Sequence, residues 1–215
     1  RAWHRVTPLT DDLECYLEFY CEPKNYFSNK YELNPAHSEV VEAVRTIKPC
    51  KVLDLGCGQG RNALFLSLLG FDVTAVDQNI PGLQYLKNVA EAENLDIKVA
   101  HYDINTAAIQ NTYDFISSTV VLMFLNPECI DNIITNIQEQ TNIGGYNLIV
   151  SAMSTEDSPC PLPFPFTLKE NELKEYYRDW ELVKYNEDFG HLHKTDANGN
   201  RIKLRFATML ARKVQ

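Results

Sequence analysis

The chain has 215 residues, 45% hydrophobic, 23% charged and 11% aromatic, a composition that excludes disorder and collagen-like repeats. Its 20 Lys and Arg against 29 Asp and Glu leave a net charge of −9, which argues against nucleic acid and anionic membrane as general partners. The cysteines at 15, 21, 50, 57, 129 and 160 share no C-x-x-C spacing, which fits a reducing compartment and gives the cytoplasm as the expected location, and no apolar run reaches the ~18 residues of a membrane span.

The first segment, Leu13 to Cys21, alternates apolar and polar residues with the period of a half-buried strand. With Ala2–Val6 it reads as a β-hairpin, the remnant of a preceding small β-rich domain over residues 1–22, so that the main domain spans 23–215. Asn34-Pro35 opens a helix with Ala36, Val40, Val44 and Ile47 at helical spacing, and Pro49 ends it. From Lys51 onward, strands and helices alternate. Strands are expected over Val52–Leu55, Val73–Val76, Ile97–Tyr102 and Tyr113–Ser118. Helices are expected over Arg61–Leu69, ending at Gly70, and over Pro81–Glu93. Asn126-Pro127 caps a further helix whose apolar face is Ile130, Ile133, Ile134 and Ile137. Gly144-Gly145 then turns into a strand over Asn147–Ala152. A proline-rich loop, Ser154 to Pro165, precedes a capping box, Thr167-x-x-Glu170, and a short helix to Tyr177. Strands Trp180–Tyr185 and Arg201–Leu210 close the chain around a polar loop, Asn186–Asn200. Such alternation implies a parallel sheet with helices on both faces.

The segment Asp54-Leu55-Gly56-Cys57-Gly58-Gln59-Gly60 joins a strand to a helix. Glycines there let the backbone turn tightly and approach a ligand. Asp77 ends the second strand, where a carboxylate can accept from both ribose hydroxyls. Asp103, with Ile104 beside it, follows the third strand, where it can meet the exocyclic amine of an adenine. One Asp at a strand end reads equally as a cap. Three at successive strand ends beside one glycine loop point to a nucleoside site. The third glycine stands two residues after the second, which separates this loop from the G-x-G-x-x-G of dinucleotide enzymes.

This pattern resembles the class I S-adenosylmethionine-dependent methyltransferases. The motifs Tyr26-Phe27-x-x-Lys30-Tyr31, Asp54-Leu55-Gly56-Cys57-Gly58-x-Gly60-Arg61-Asn62, Ser118-Thr119-Val120-Val121-x-Met123-Phe124-Leu125, Gly144-Gly145-Tyr146-Asn147-Leu148-Ile149-Val150 and Thr195-Asp196-Ala197-Asn198-Gly199-Asn200-Arg201-Ile202 resemble the tellurite-resistance methyltransferases of the TehB type. The resemblance implies a Rossmann-like fold, a seven-stranded and mostly parallel sheet with an antiparallel last strand. It implies S-adenosylmethionine as methyl donor and S-adenosylhomocysteine as product. Gly56, Gly58, Asp54, Asp77, Asp103, Ile104 and Thr119 would bind that donor, with Asp54 on its amino group and Val120 beside Thr119. Tyr26 and Lys30 would meet its carboxylate; from the residues alone, Lys30 reads as a solvated surface lysine. Cys57 fits the loop and is no nucleophile.

Six Lys or Arg and one acid lie between His193 and Lys213. A cationic end on an acidic chain suits a small oxyanion such as tellurite or selenite, with His191, His193, Lys194 and Arg201 on the acceptor side and His193 and Arg201 as the residues facing the methyl group. Arg201, Lys203 and Arg205 also alternate with Ile202, Leu204 and Phe206, so the same residues read as the solvent face of a strand, and Lys203 and Arg205 are assigned there. An ordinary thiol or amine metabolite is the alternative acceptor, with His193 as base. A nicotinamide-dependent oxidoreductase and a non-catalytic nucleoside-binding module are the alternatives of other classes. No metal is expected, and the alternating strand near the start offers an edge for a homodimer.

Overall fold

The computed structural model describes residues 23–195 and 199–215, without the side chains of His193 and Lys194. The hairpin expected within residues 1–22 lies outside the described residues. The elements are α1 (Pro23–Tyr31), α2 (Ser38–Ala43), β1 (Lys51–Leu55), α3 (Arg61–Leu68), β2 (Asp72–Asp77), α4 (Ile80–Ala92), β3 (Ile97–His101), β4 (Tyr113–Thr119), α5 (Ile130–Glu139), β5 (Thr141–Ala152), α6 (Glu172–Tyr176), β6 (Glu181–Thr195) and β7 (Arg201–Arg212).

The strands form one sheet in the order β3-β2-β1-β4-β5-β7-β6. β1 to β5 are parallel, and β7 lies antiparallel between β5 and β6. The central strands are apolar on both sides because helices cover both faces. Val52 and Phe115 point to a core shared with Phe27, Val40, Ala63, Leu64 and Leu86, from α1 to α4. Leu53, Leu55 and Ile116 point the other way, against Ile130, Ile133, Ile134 and Ile137 of α5 and Leu173 beyond it. Among the described residues no helix is long and apolar enough to cross a membrane.

The α/β architecture, seven strands and mostly parallel sheet agree with the sequence reading; several boundaries do not. Tyr26 and Lys30 lie on a helix, α1, that the sequence reading left out, because one buried residue, Phe27, gives it almost no apolar face. The next helix starts at Ser38 instead of Asn34, with His37 as its cap: the imidazole Nδ1 accepts from the Glu39 N–H at 3.2 Å. Thr167 does not cap α6. Leu168 is drawn into pairing with the end of β5, its N–H donating to Ala152 O and its carbonyl accepting from Ser154 N–H, so the chain is extended there. The helix starts four residues later, after Asn171 at φ 60°, and the Glu172 carboxylate takes the Lys169 N–H at 2.7 Å. Gly144 and Gly145 sit inside β5, in a register shift that passes from Tyr113↔Thr141 to Phe115↔Tyr146.

The largest difference is at the end of the sheet. The segment read as a polar loop from Asn186 is strand as far as Thr195, paired with β7 through Thr195↔Arg201. Its polar side chains belong to an arm where burial falls off, and the backbone pairing does not depend on them. Arg205 is not a solvent-face residue either: it forms two bonds to the Asp157 carboxylate, 3.2 and 3.0 Å, and straps the proline-rich loop to β7.

Candidate active site

The end of β1 runs into a turn that suits only glycine at its first position. Gly56 has φ 81°, and a Cβ there would lie 2.5 Å from Val121 Cγ2. The amides of Gly56 and Cys57 donate to Val76 O at 2.8 and 3.0 Å, so the loop is anchored on β2. At the start of α4, Gly82 lets the helix close on the loop, since a Cβ there would meet Gly58 O at 2.8 Å.

The three acids expected at strand ends have three different environments. Asp77 accepts from Gly58 N–H and from Asn79 N–H, each at 2.8 Å, through different carboxylate oxygens. It therefore fastens the glycine loop to the start of α4, and each oxygen keeps a second lone pair for a hydroxyl donor. Asp103 accepts from the amide and side chain of Asn105 at 3.0 and 2.9 Å, capping the turn that contains buried Ile104. Asp54 is 1% exposed. One of its oxygens accepts from Ser117 Oγ at 3.2 Å, and the other has no partner. Burial pushes its carboxyl up to about 6; the Ser117 hydrogen bond and the Arg61 charge resist that rise. A buried, half-satisfied carboxylate beside a glycine loop has room for a cationic or N–H donor from a ligand.

A buried relay ties the far side of this loop to β4. Asn62 accepts from the His37 N–H at 2.9 Å and donates from Nδ2 to Thr119 Oγ1 at 3.0 Å. Immediately after Thr119, Val120 stands at φ 62°. A β-branched residue there is strained by about 1–3 kcal/mol, and the hydrogen bond from its N–H to Val150 O, 2.7 Å, helps to hold it.

Next to Val120 lies a cavity of about 560 Å³ whose walls include Arg61, Val150, Asn186, Asp188, His191 and Phe206. It lies between the start of α2, the first residue of α3 and the strands β5, β7 and β6. Lys184 and Glu39 also line it and are joined at 2.6 Å. Arg61 is half-buried; burial lowers its pKa, against the favourable charge of Asp54. Burial, with the nearby Asp54 and Asp77 charges, raises the Cys57 thiol far above its ordinary range, so it stays protonated and inert.

The structure thus brings Asp54, Gly56, Gly58, Asp77 and Thr119 together around one loop, with Asp103 and Ile104 after the neighbouring β3. It does not bring Tyr26 and Lys30 there. Both are hydrogen-bonded to Glu93, at 3.0 and 2.7 Å. Glu93 caps the far end of α4, a 13-residue helix that starts at the loop, so about 20 Å separates the two places. Arg201 is exposed on the hairpin and donates to Leu192 O at 2.9 Å and His191 O at 3.4 Å; it is not a wall of the cavity. The His193 side chain lies outside the described residues. Lys203 covers the Phe189 ring at 4.5 Å. Of the acceptor-side residues read from sequence, His191 does line the cavity; Asn62 and Arg61 are the residues that sequence reasoning gave no role. Both carried a signal, since they directly follow the glycine loop.

A family model described as "Tellurite resistance protein TehB" matches residues 19–210. A relative from Haemophilus influenzae (strain 10810), "Probable S-adenosyl-L-methionine-dependent methyltransferase TehB", is 65% identical over 99% of this chain and 74% of its own length. A relative from Eikenella corrodens named "Hemagglutinin 1" is 53% identical over 99% of this chain and 71% of its own. The crystal structure of TehB from Haemophilus influenzae superposes with a TM-score of 0.89 at 64% identity, covering 90% of this chain and 68% of that one.

Proposed function

The chain belongs to the TehB family of tellurite resistance proteins and is an S-adenosylmethionine-dependent methyltransferase, and from that premise we propose that its methyl acceptor is a small chalcogen oxyanion, tellurite or selenite. The nicotinamide and non-catalytic alternatives fall away with the family.

The residues around the loop suit the donor. Asp77 has lone pairs for the ribose hydroxyls, and Asp103 and Ile104 stand where the adenine edge would lie. The orphan oxygen of Asp54 suits the donor's ammonium. Thr119, held by Asn62, would form the wall between donor and acceptor. S-adenosylmethionine supplies an electrophilic methyl group: a lone pair of the acceptor bonds to its carbon as the carbon–sulfur bond breaks, and that electron pair stays on sulfur. What the protein adds is position, because in-line displacement rewards a fixed approach. A chalcogen lone pair attacks without first losing a proton, so this chemistry asks for no general base. A thiol or amine acceptor would ask for one, and His191 on the cavity wall is the candidate for it.

The observation that carries the reading is the cavity itself, which adjoins Val120 and Arg61 at the loop and is lined by none of Asp54, Gly56, Gly58, Asp77, Asp103 and Thr119. Methyl transfer from labelled donor to tellurite, selenite, a thiol panel and an amine panel tests it. Faster transfer to the oxyanions supports the proposal; transfer confined to thiols or amines replaces it with the metabolite reading.

A further inference from the structure

The geometry points to Arg61 as the residue that holds the acceptor oxyanion, a site that rests on the oxyanion reading above. Among the described residues Arg61 makes no hydrogen bond and no ion pair, although it is half-buried and lines the cavity. Leaving a guanidinium in that state is costly unless something else answers its charge. Asp54 does so only through space, with no hydrogen bond or ion pair between the two side chains among the described residues.

The neighbouring cations are already engaged. Lys184 is neutralised by Glu39 at 2.6 Å and Glu42 at 3.1 Å. Arg205 is committed to Asp157, and Arg201 to carbonyls of its own hairpin. Lys203 sits over Phe189. Asp188 adds a negative charge to the same wall, so an anion enters only where a cation receives it. Arg61 is at the first turn of α3, where backbone N–H groups of the helix start add to the positive potential. None of Asp54, Gly56, Gly58, Asp77 and Asp103 lines this cavity, which separates Arg61 from the donor's own contacts.

Shape and chemistry agree. At about 560 Å³ the cavity would admit acceptors much larger than an oxyanion, so size does not select and charge must. A planar guanidinium grips two oxygens of a pyramidal oxyanion and leaves the chalcogen lone pair free to face the methyl group. Methylation removes one unit of negative charge from the acceptor, so the product is held less tightly than the substrate by the same arginine.

The test is calorimetric titration of sodium selenite into the wild-type chain and into Arg61→Gln, with S-adenosylhomocysteine titrated into each in parallel. Loss of a charged hydrogen-bonding pair should weaken selenite roughly 10- to 150-fold, while S-adenosylhomocysteine affinity changes little. Arg61→Lys keeps the charge without the fork and should fall between the two; it also serves if Arg61→Gln fails to fold. Unchanged selenite binding in the variant overturns the assignment, as does a wild-type chain that binds neither selenite nor tellurite. So does an equal loss of S-adenosylhomocysteine, which would place Arg61 on the donor. If the wild type binds selenite through Arg61 yet transfers no methyl to it or to tellurite, the anion site stands and the proposed acceptor falls.

Discussion

Asp54→Asn should make the protein more stable with respect to pH and worse at binding its donor. The Asp54 carboxyl is raised from 3.8 to about 6 by burial. Between those values the folded chain keeps a proton that the unfolded chain has released, so the folded chain binds more protons and stability falls as pH rises. Above pH ~6 the whole cost is present, about 3 kcal/mol for a shift of about two units. Asparagine does not titrate and removes that cost. It keeps the carbonyl acceptor for Ser117 but puts an amide N–H₂ where the orphan oxygen stood, at about 1–3 kcal/mol if unpaired. That second cost is the same at every pH. The two proteins therefore differ by a swing of about 2 kcal/mol between pH ~4.5 and ~7.5, or roughly 4–8 °C of melting temperature for a chain of this size. The variant gains relative to wild type at the higher pH. Thermal unfolding at both pH values measures the swing, and calorimetry with S-adenosylhomocysteine measures binding, expected to weaken by about 1.5–3 kcal/mol. Parallel pH profiles for the two proteins would refute the buried-charge argument. Undiminished binding would refute the role of the orphan oxygen.

Asp77→Ala removes the acceptor for Gly58 and Asn79 N–H groups as well as the expected ribose contact, so S-adenosylhomocysteine affinity should fall by at least ~1.5–3 kcal/mol in calorimetry. Gly82→Ala favours the helix but forces a methyl to 2.8 Å from Gly58 O; donor affinity should drop by roughly 1–3 kcal/mol, as overpacking at a rigid contact costs, while helical content by circular dichroism is retained. Lys30→Met should leave S-adenosylhomocysteine affinity unchanged, because its partner Glu93 is a whole helix away from the loop. Tyr177→Phe takes a fully buried hydroxyl from Asn147 Oδ1, 3.0 Å away, and urea unfolding should report a loss of about 1–3 kcal/mol with donor binding intact.

Much of the fold was legible because its central strands are buried on both faces. Runs such as Val52-Leu53-Asp54-Leu55 and Phe115-Ile116 have no solvent side, so their apolar character survives in any register. The helix α5 was legible for the complementary reason: four isoleucines at i, i+3, i+4 and i+7 commit one face to the core. What failed was local chemistry overridden by tertiary pairing. Thr167 and Glu170 have the spacing of a capping box, yet Leu168 gains two backbone hydrogen bonds from the end of β5 by remaining extended. His37 caps α2 although imidazole is no common cap, because Asn62 holds its backbone N–H in place. The β6–β7 arm was misread because a strand with polar side chains leaves little periodic signal, although its partner follows directly across the hairpin.

The same distinction divides the site. The residues proposed for the donor follow short segments, the ends of β1, β2, β3 and β4, and a parallel sheet must gather such ends on one edge. That geometry follows from fold class alone, so Asp54, Asp77 and Asp103 could be singled out from their places at strand ends, while Thr119 came from the family resemblance. The side proposed for the acceptor has no such rule. Its cavity exists because β7 inserts between β5 and β6, which carries Asn186, Asp188, His191 and Phe206 across from Arg61, more than a hundred residues earlier. Sequence reasoning placed the cation where charge was densest, at Arg201 and its neighbours. Density of charge does not decide availability, however: those arginines bind hairpin carbonyls and Asp157, and among the described residues the cavity-lining cation without a protein partner is Arg61, beside the glycine loop. An acidic chain can receive an anion on these terms, since a half-buried guanidinium with no protein partner acts at short range, where the distant net charge is screened within about 8–10 Å of salt solution.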